Sequence, residues 1–294
     1  MDELAVVRRF NRTVTQRVGA LNDAYLSRDR PLGQARVLWE IGPNGCDVRV
    51  LRERLDLDSG YLSRLLRALE HAGLVVVGPS DGDGRARTAR LTRRGRAERE
   101  ALDTRSDELA ASILAPLSER QRTRLVDAMA EVERLLTAST VEVAAVDPGG
   151  PAAQKCLAAY FAEIGERFDD GFEHARSLTP DETVMAPPDG LFLVATLHGE
   201  PVGCGGFVVQ DDGASAYLKR MWVSSAVRGL GLGRRLLAEL ERRAAAGGAR
   251  RARLETNRAL REAMGLYRAA GYEEVAPFND EPYAHHWFEK ELPG

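Results

Sequence analysis

Lysine is almost missing from this chain. Of 41 basic residues, only Lys155, Lys219 and Lys290 are not arginine. We read this bias as the mark of a GC-rich coding sequence before any functional preference. Cysteine is scarce as well: Cys46, Cys156 and Cys204 are scattered and odd in number, which argues against a disulfide framework. No apolar run approaches the roughly 18–20 residues needed to cross a bilayer, because charge or glycine interrupts each one. The opening Met1-Asp2-Glu3-Leu4 is acidic and has no signal-peptide core. A cytoplasmic protein with no membrane partner is therefore expected. Internal repeats, low-complexity tracts, metal-ligand spacings and a Ser/His/Asp arrangement are also missing, so no metal site is expected.

What is present is ordinary globular sequence. The chain has 294 residues, 44% hydrophobic and 29% charged, a length that suits two domains. The formal net charge of −3 conceals a split. Residues 1–140 hold 24 Arg against 21 Asp and Glu, about +3, and the remainder is about −6. Within the first part, residues 61–100 hold nine Arg against five acids. A basic segment of this kind points to a nucleic-acid partner.

Periodicity divides the chain near residue 139. A helical pattern gives way to the alternating Val141-Glu142-Val143-Ala144-Ala145-Val146 and then to the turn cluster Asp147-Pro148-Gly149-Gly150-Pro151. The expected domains are 1–139 and 140–294. In the first, helices are expected over Val6–Leu26, from Pro31 through Ile41, over Val48–Leu55 capped by Asp47, and over Gly60–Ala72 capped by Asp58 or Ser59. A strand Leu74–Val77, a loop Gly78–Gly84 and a strand Arg85–Leu91 follow. Two long helices then run from Thr92 to about Leu114 and from Ser118 to Leu136. In the second, helices are expected over Ala152–Phe168, Gly231–Ala246 and Ala259–Ala270. Strands are expected over Leu191–Leu197, Val202–Val209, Tyr217–Val223, Arg251–Thr256, Tyr272–Val275 and His286–Leu292.

A short helix, a tight turn, a second helix and a hairpin make the order of a winged helix-turn-helix. Leu62, Leu65, Leu66 and Leu69 form one apolar stripe for the core, which leaves Gly60, Ser63, Arg64 and Arg67 on the opposite face. Small residues at a helix start allow entry into a major groove, and arginine pairs guanine edges or phosphates. Arginine on the hairpin can reach a narrow minor groove, and Asp83 can orient Arg85. The phrase Leu62–Val75, the wing's Asp83-x-Arg85 and the following Leu91-Thr92-x-x-Gly95 carry a resemblance. Residues 1–137 resemble the MarR family of winged-helix repressors. That resemblance implies double-stranded DNA contacts at Ser59, Gly60, Tyr61, Ser63, Arg64, Arg67, Arg85 and Arg87. It also implies a homodimer formed through about Leu4–Leu26 and Ala97–Leu136.

The second half contains Val227-Arg228-Gly229-Leu230-Gly231-Leu232-Gly233-Arg234, with a strand before it and an amphipathic helix after it. Glycines let backbone approach a ligand closely, and the free N–H groups of a helix start bind phosphate. A dinucleotide site would want an acid about 20 residues on, and Glu255 lies near that distance. Yet several strands precede this one, whereas a dinucleotide fingerprint usually follows the first strand of its domain. The Arg228-x-x-Gly231-x-Gly233 loop, Leu218-Lys219-Arg220-Met221-Trp222-Val223, Leu254-Glu255-Thr256-Asn257 and Leu266-Tyr267-Arg268-Ala269-Ala270-Gly271-Tyr272 occur in order. With these motifs, residues 141–294 resemble the GNAT acetyltransferase superfamily. The resemblance implies an α+β fold, a mixed and largely antiparallel sheet flanked by helices. It implies acetyl-CoA as cofactor and direct transfer to a small amine.

By that resemblance, the cofactor contacts are Met221, Trp222, Val223, Arg228, Gly229, Leu230, Gly231, Leu232, Gly233, Arg234, Asn257 and Tyr267. Tyr267 is also the expected catalytic residue, protonating the departing thiolate. Many relatives carry Glu where this chain has Tyr217, so the general base is unassigned, with Glu166, Glu255, His285 and His286 as candidates by residue type. The acids Glu163, Glu166, Asp169 and Asp170 read as a solvated helix face, or alternatively as a lure for a cationic amine. The whole chain reads as a transcriptional regulator fused to an N-acetyltransferase. The alternative is a regulator whose second half senses acetyl-CoA or a metabolite without turnover.

Overall fold

Side-chain caps set where most of the first helices begin. Asp2, Asp47 and Asp58 each accept a bond from a backbone N–H two or three residues on, at 3.3, 2.7 and 2.8 Å, and Thr92 accepts from Gly95 at 3.0 Å. The computed structural model describes residues 2–20, 26, 30–80, 83–169, 171–173, 176–178, 182–210 and 213–293, with 83–85 by backbone only. Contacts divide the chain into two units, Met1–Met129 and Ala130–Gly294. None of the described helices is long and apolar enough to cross a membrane.

The first unit runs α1 (Glu3–Arg17), α2 (Leu32–Ile41), β1 (Cys46–Asp47), α3 (Val48–Leu55), α4 (Ser59–His71), β2 (Val75–Ser80), β3 (Asp83–Leu91) and α5 (Arg93–Leu114), and then enters α6 (Glu119–Ser139). Leu62, Leu65, Leu66 and Leu69 of α4 are buried together with Val37, Leu38, Ile41, Leu51 and Leu74. The stripe read from the sequence is therefore the inner face of this helix. Two expectations need correction, and one element was not anticipated. The helix expected over Val6–Leu26 starts at Glu3 and ends at Arg17, and Gly19 at φ 68° turns the chain out of it; residues 21–25 lie outside those described. The loop expected over Gly78–Gly84 is mostly strand, since β2 continues to Ser80 and β3 begins at Asp83; Asp81 and Gly82 lie outside the described residues. A short β1 also pairs with β3 through Cys46↔Ala89 and Asp47↔Thr88, a two-residue element too brief to leave a periodic signal.

The second unit contains β4 (Glu142–Ala145), α7 (Pro151–Arg167), β5 (Gly190–Leu197), β6 (Glu200–Gln210), β7 (Ser215–Val223), α8 (Leu232–Ala246), β8 (Arg251–Thr256), α9 (Arg261–Ala269), β9 (Glu273–Val275) and β10 (His286–Glu291). Its sheet has the order β4-β5-β6-β7-β8-β10-β9. Neighbours are antiparallel except β7 and β8. Alternation along β5 separates the two faces. Leu193 and Ala195 pack with Leu232, Leu236, Leu237 and Leu240 of α8, while Phe192 and Val194 pack with Ala153, Cys156 and Leu157 of α7. This is the mixed, largely antiparallel α+β fold expected from the sequence.

One irregularity positions the site. Between Cys204↔Trp222 and Gly206↔Lys219, β7 carries one residue more than β6, a bulge. Arg220 adopts φ 58° there, a left-handed conformation that costs a non-glycine residue about 1–3 kcal/mol. Its guanidinium holds it in place. The side chain is 3% exposed, Nε donates to Glu182 Oε1 at 3.1 Å, and the group lies 5.0 Å from the Phe161 ring centre. The parallel pairing stops three residues before Arg220, since β7 and β8 pair only at Ser215↔Arg251, Ala216↔Ala252 and Tyr217↔Arg253. The strands then part, and a cleft opens between them.

Replacing Arg220 by Met leaves Glu182 without this partner and the left-handed turn without its brace. Loss of one member of a buried ion pair costs about 3–5 kcal/mol. Arg220→Met is therefore expected to lower the urea midpoint of the second unit steeply. An unchanged midpoint would show that the bulge holds without the pair.

Candidate active site and nucleic-acid groove

Where β7 and β8 part, two cavities lie side by side. The larger, about 540 Å3, is lined by Met221, Trp222 and Val223 of β7 and by Arg228, Gly229, Gly231, Leu232, Gly233 and Arg234 of the following loop and helix start. Tyr160, Glu163, Ile164 and Arg167 of α7 and Glu262, Leu266 and Tyr267 of α9 complete it. Ten of the residues the sequence assigned to cofactor binding thus share one cavity. Leu230 and Asn257 do not line it: Leu230 packs against the apolar core, and Asn257 lines the smaller cavity. There its amide donates to the Tyr283 carbonyl at 2.8 Å and accepts from Ala259 N–H at 2.9 Å.

The glycine loop has the backbone its sequence requires. Gly229 and Gly231 sit at φ 84° and 76°, a region that L-residues avoid. Gly231 precedes α8 without a side-chain cap, so the first N–H groups of that helix remain available to an acceptor. Arg234 is exposed at this start. Arg228 is engaged elsewhere. Its Nη2 lies 2.6 Å from both oxygens of Glu163, and its Nε donates to the Val223 carbonyl at 3.0 Å.

Glu163 also accepts from Trp222 Nε1 at 2.9 Å and from Arg167 at 3.1 Å, and Arg167 reaches on to Glu262 and the Ala259 carbonyl. Neither expectation for the acidic cluster fits this residue. Glu163 is the hub of a clasp joining α7, the end of β7, the loop and α9. Glu166 is exposed, Asp169 pairs with Arg258 at 3.3 Å on the surface, and Asp170 lies outside the described residues.

The smaller cavity, about 80 Å3, lies on the other side of Tyr267. It shares Tyr160, Met221, Leu260, Ala263 and Tyr267 with the larger one. The Tyr267 ring packs between Tyr272 and Phe288. Burial, helped by the nearby Tyr160 and Glu255, pushes the pKa of its hydroxyl well up, so the hydroxyl stays protonated at neutral pH. Core packing and cavity lining are both true of this residue.

Of the four general-base candidates, Glu255 alone lines a described cavity. Its Oε1 is bonded to Lys219 Nζ, and its buried Oε2 has no hydrogen-bond partner among the described residues. His285 is exposed, and His286 Nδ1 lies 2.6 Å from Glu274 Oε1, away from either cavity. Tyr217 is buried, with its hydroxyl accepting from Asn279 at 2.7 Å; burial and the charge of Glu255 push its pKa far up. Sequence reasoning missed Lys219 and Glu281, whose pairing joins positions 62 residues apart and leaves no local pattern. No group of three His, Cys, Asp or Glu able to hold a metal occurs among the described residues.

In the first unit a groove of about 480 Å3 brings together Ser59, Ser63 and Arg67 of α4 with Arg87 of β3. Arg49 and Arg52 of α3 also line it. They were overlooked, although arginines three apart after the Asp47 cap share a helix face. Gly60, Tyr61 and Arg64 are exposed on α4 outside this groove, with the Arg64 guanidinium 5.5 Å over the Tyr61 ring. The side chain of Arg85 lies outside the described residues.

The clasp predicts a pH effect. Burial raises the pKa of the Glu163 carboxyl, but bonds from Arg228, Trp222 and Arg167 outweigh burial and hold it below its ordinary value. A group depressed in the folded state contributes stability above its unfolded pKa, about 4.3 for Glu, and loses it as pH falls through the folded value. The urea midpoint of the second unit is thus expected to drop from pH 5 to pH 3, and to drop less in Glu163→Gln. An equal drop in both proteins would remove Glu163 from the account.

The comparisons with known proteins agree with this geometry. Residues 124–272, 149 of the 294, match the model of the acetyltransferase (GNAT) family. Residues 29–86 match the model of the MarR family. Over 103 residues the chain is 39% identical to the IAA acetyltransferase of Azospirillum brasilense, a match that spans 35% of this chain and 66% of that protein, just under two thirds. Over 128 residues it is 31% identical to the uncharacterized N-acetyltransferase YjgM of Escherichia coli strain K12, spanning 42% of this chain and 77% of the relative. A crystal structure of a GNAT-family acetyltransferase from Staphylococcus aureus Mu50 aligns with a TM-score of 0.45 and 19% identity, over 52% of this chain and 99% of that one. By the extent of the first match, and with a MarR-family segment ahead of it, the chain belongs to the GNAT acetyltransferase family.

Proposed function

We propose that the second unit is an N-acetyltransferase that moves an acetyl group from acetyl-CoA directly to the nitrogen of a small amine. The observation that carries this reading is the meeting of the two cavities at Tyr267 and Met221. The larger cavity fits a phosphate-bearing thioester. Gly229 and Gly231 leave the loop open, the uncapped start of α8 offers N–H donors, and Arg234 adds positive charge. Bound there, acetyl-CoA supplies an activated acyl thioester.

The remaining chemistry falls to the chain. Tyr267 holds a proton at its hydroxyl where a departing thiolate requires one. Glu255, which lines the smaller cavity and has one carboxylate oxygen without a partner among the described residues, takes the proton that the acceptor nitrogen must lose. The edge of β7 at Met221–Val223 is unpaired toward β8 and lines the larger cavity, where backbone donors would be free to serve a developing oxyanion.

We propose further that the first unit binds double-stranded DNA as a homodimer. The basic groove between α3, α4 and the wing supports the first part. Exposed apolar residues support the second: Leu4, Val7, Phe10 and Val14 recur at helical spacing on α1, and Val126, Met129, Leu135 and Leu136 do so on α6.

Two experiments test these readings. Loss of a general acid typically lowers rate by roughly 10²- to 10⁴-fold. Tyr267→Phe is expected to lower kcat in a thiol-release assay by that order, with little change in the KM for acetyl-CoA. Full activity would overturn the assignment, and cofactor binding with no thiol release for any amine would leave a sensor instead. For DNA, Arg67→Ala and Arg87→Ala are each expected to weaken binding to mixed-sequence duplex. Each should also reduce the slope of log affinity against log salt by about 1, the share of a single phosphate. Unchanged affinity and slope in the double variant would dismiss the groove.

A further inference from the structure

The floor of the smaller cavity is an unbalanced set of buried charges. Lys219, Glu255 and Glu281 side chains are each 6% exposed. Lys219 Nζ donates to Glu255 Oε1 and lies 3.8 Å from Glu281 Oε2. Glu281 Oε2 is further engaged by Ser177 Oγ at 3.0 Å and by the Leu178 N–H at 2.9 Å. That leaves Glu255 Oε2, buried and without a partner among the described residues. One cation faces two carboxylates, so the floor carries a surplus negative charge and an unused acceptor at the same place. The other cation on the wall, Arg220, is paired with Glu182.

The walls are of a different character. Phe168, Phe172 and Tyr283 line the same cavity and pack against one another, with ring centres 4.8 to 6.1 Å apart. All three are half-buried, whereas the charges are almost fully covered. The cavity therefore passes from an aromatic collar on the solvent side to a negative floor within.

We infer that this cavity takes a primary alkylammonium with an apolar or aromatic body and no carboxylate, its charged head on Glu255 Oε2 and its body within the collar of Phe168, Phe172 and Tyr283. The ammonium supplies the missing donors and the missing charge together, and the half-buried rings of the collar cover an apolar body. A carboxylate beside the ammonium would meet the surplus negative charge of the floor, where Lys219 and Arg220 are already paired; Arg176, whose guanidinium lies 5.8 Å from the Tyr283 ring centre, stands at the collar and does not line the cavity. A neutral alcohol of the same shape would leave the surplus charge unanswered. The inference deepens the proposed acyl transfer by naming its acceptor class, and it rests on that reading only for turnover, not for binding.

Calorimetric titration of the full chain, with and without coenzyme A, separates the two. The probes are 2-phenylethylamine, 2-phenylethanol and phenylalanine at pH 7, against wild type, Glu255→Gln and Phe172→Ala. The amine is expected to bind wild type at least tenfold more tightly than the alcohol or the amino acid, and to lose at least tenfold in each variant. Equal or tighter binding of phenylalanine, undiminished amine binding by Glu255→Gln, or no amine binding by wild type would overturn the inference. The ligand series on wild type decides the matter even if a variant fails to fold. Failure of thiol release with every amine would sink the transfer reading and leave this binding result standing. Turnover of some other acceptor with no binding of the amine would sink only the inference.

Discussion

The left-handed turn at Arg220 is the constraint on which the second unit's chemistry depends. A strand paired on both sides offers no room for a ligand, because its backbone groups are consumed by its neighbours. Pairing toward β8 stops at Tyr217, the extra residue of β7 follows at Arg220–Met221, and the sheet continues on the other side through β6. The turn carries a conformational cost for an arginine, and the structure holds it by burying the guanidinium against Glu182 and between aromatic rings. Across the strand, Gly205 leaves the space that the Met221 side chain occupies. The opening between the strands is thus a consequence of local packing, present before any ligand arrives.

Electrostatics then differentiates the two cavities that this opening creates. On the larger side, positive charge is plentiful, but part of it is already engaged. Arg228 is held by Glu163, whereas the start of α8 has no side-chain cap and Arg234 is exposed beside it. On the smaller side the sign reverses, with carboxylates outnumbering the lysine between them. Tyr267 stands at the boundary, neutral and protonated because burial disfavours its anion. The two cavities that share Tyr267 thus differ in the sign of their surplus charge, which suits the proposed transfer between unlike ligands.

What was legible in the sequence was local. The apolar stripe of α4, the Asp47 and Asp58 caps, the glycines before α8 and the two apolar runs joined by the His198–Pro201 turn are short-range features, and the structure bears out each element they imply. What was illegible was relational. No propensity marks Arg220 for a left-handed turn, since the turn arises from the register between β6 and β7. Glu163 read as one more solvated acid because its partners stand 4, 59 and 65 positions away. The short β1 and the length of the wing strands were hidden for a related reason. Their pairing, rather than their composition, makes them strands.

The buried set Lys219, Glu255 and Glu281 is hard to explain as a device for stability. Ion pairs in an interior seldom repay the loss of hydration, and well-packed apolar residues in their place are often neutral or better. A carboxylate oxygen left without a donor makes the arrangement worse, by about 1–3 kcal/mol for an unsatisfied buried group. The surrounding residues show that an apolar solution was within reach, because Leu218 and Leu254 on the same two strands are fully buried in the core. The charges persist where β7 and β8 part and where the cavity touches Tyr267. Other buried polar atoms also go without a partner among the described residues, Glu241 Oε1 and Tyr272 Oη among them, but of these residues Glu255 alone lines the cavity beside Tyr267, so the proposed ligand accounts for this cost by bringing the donor that Glu255 Oε2 lacks among the described residues.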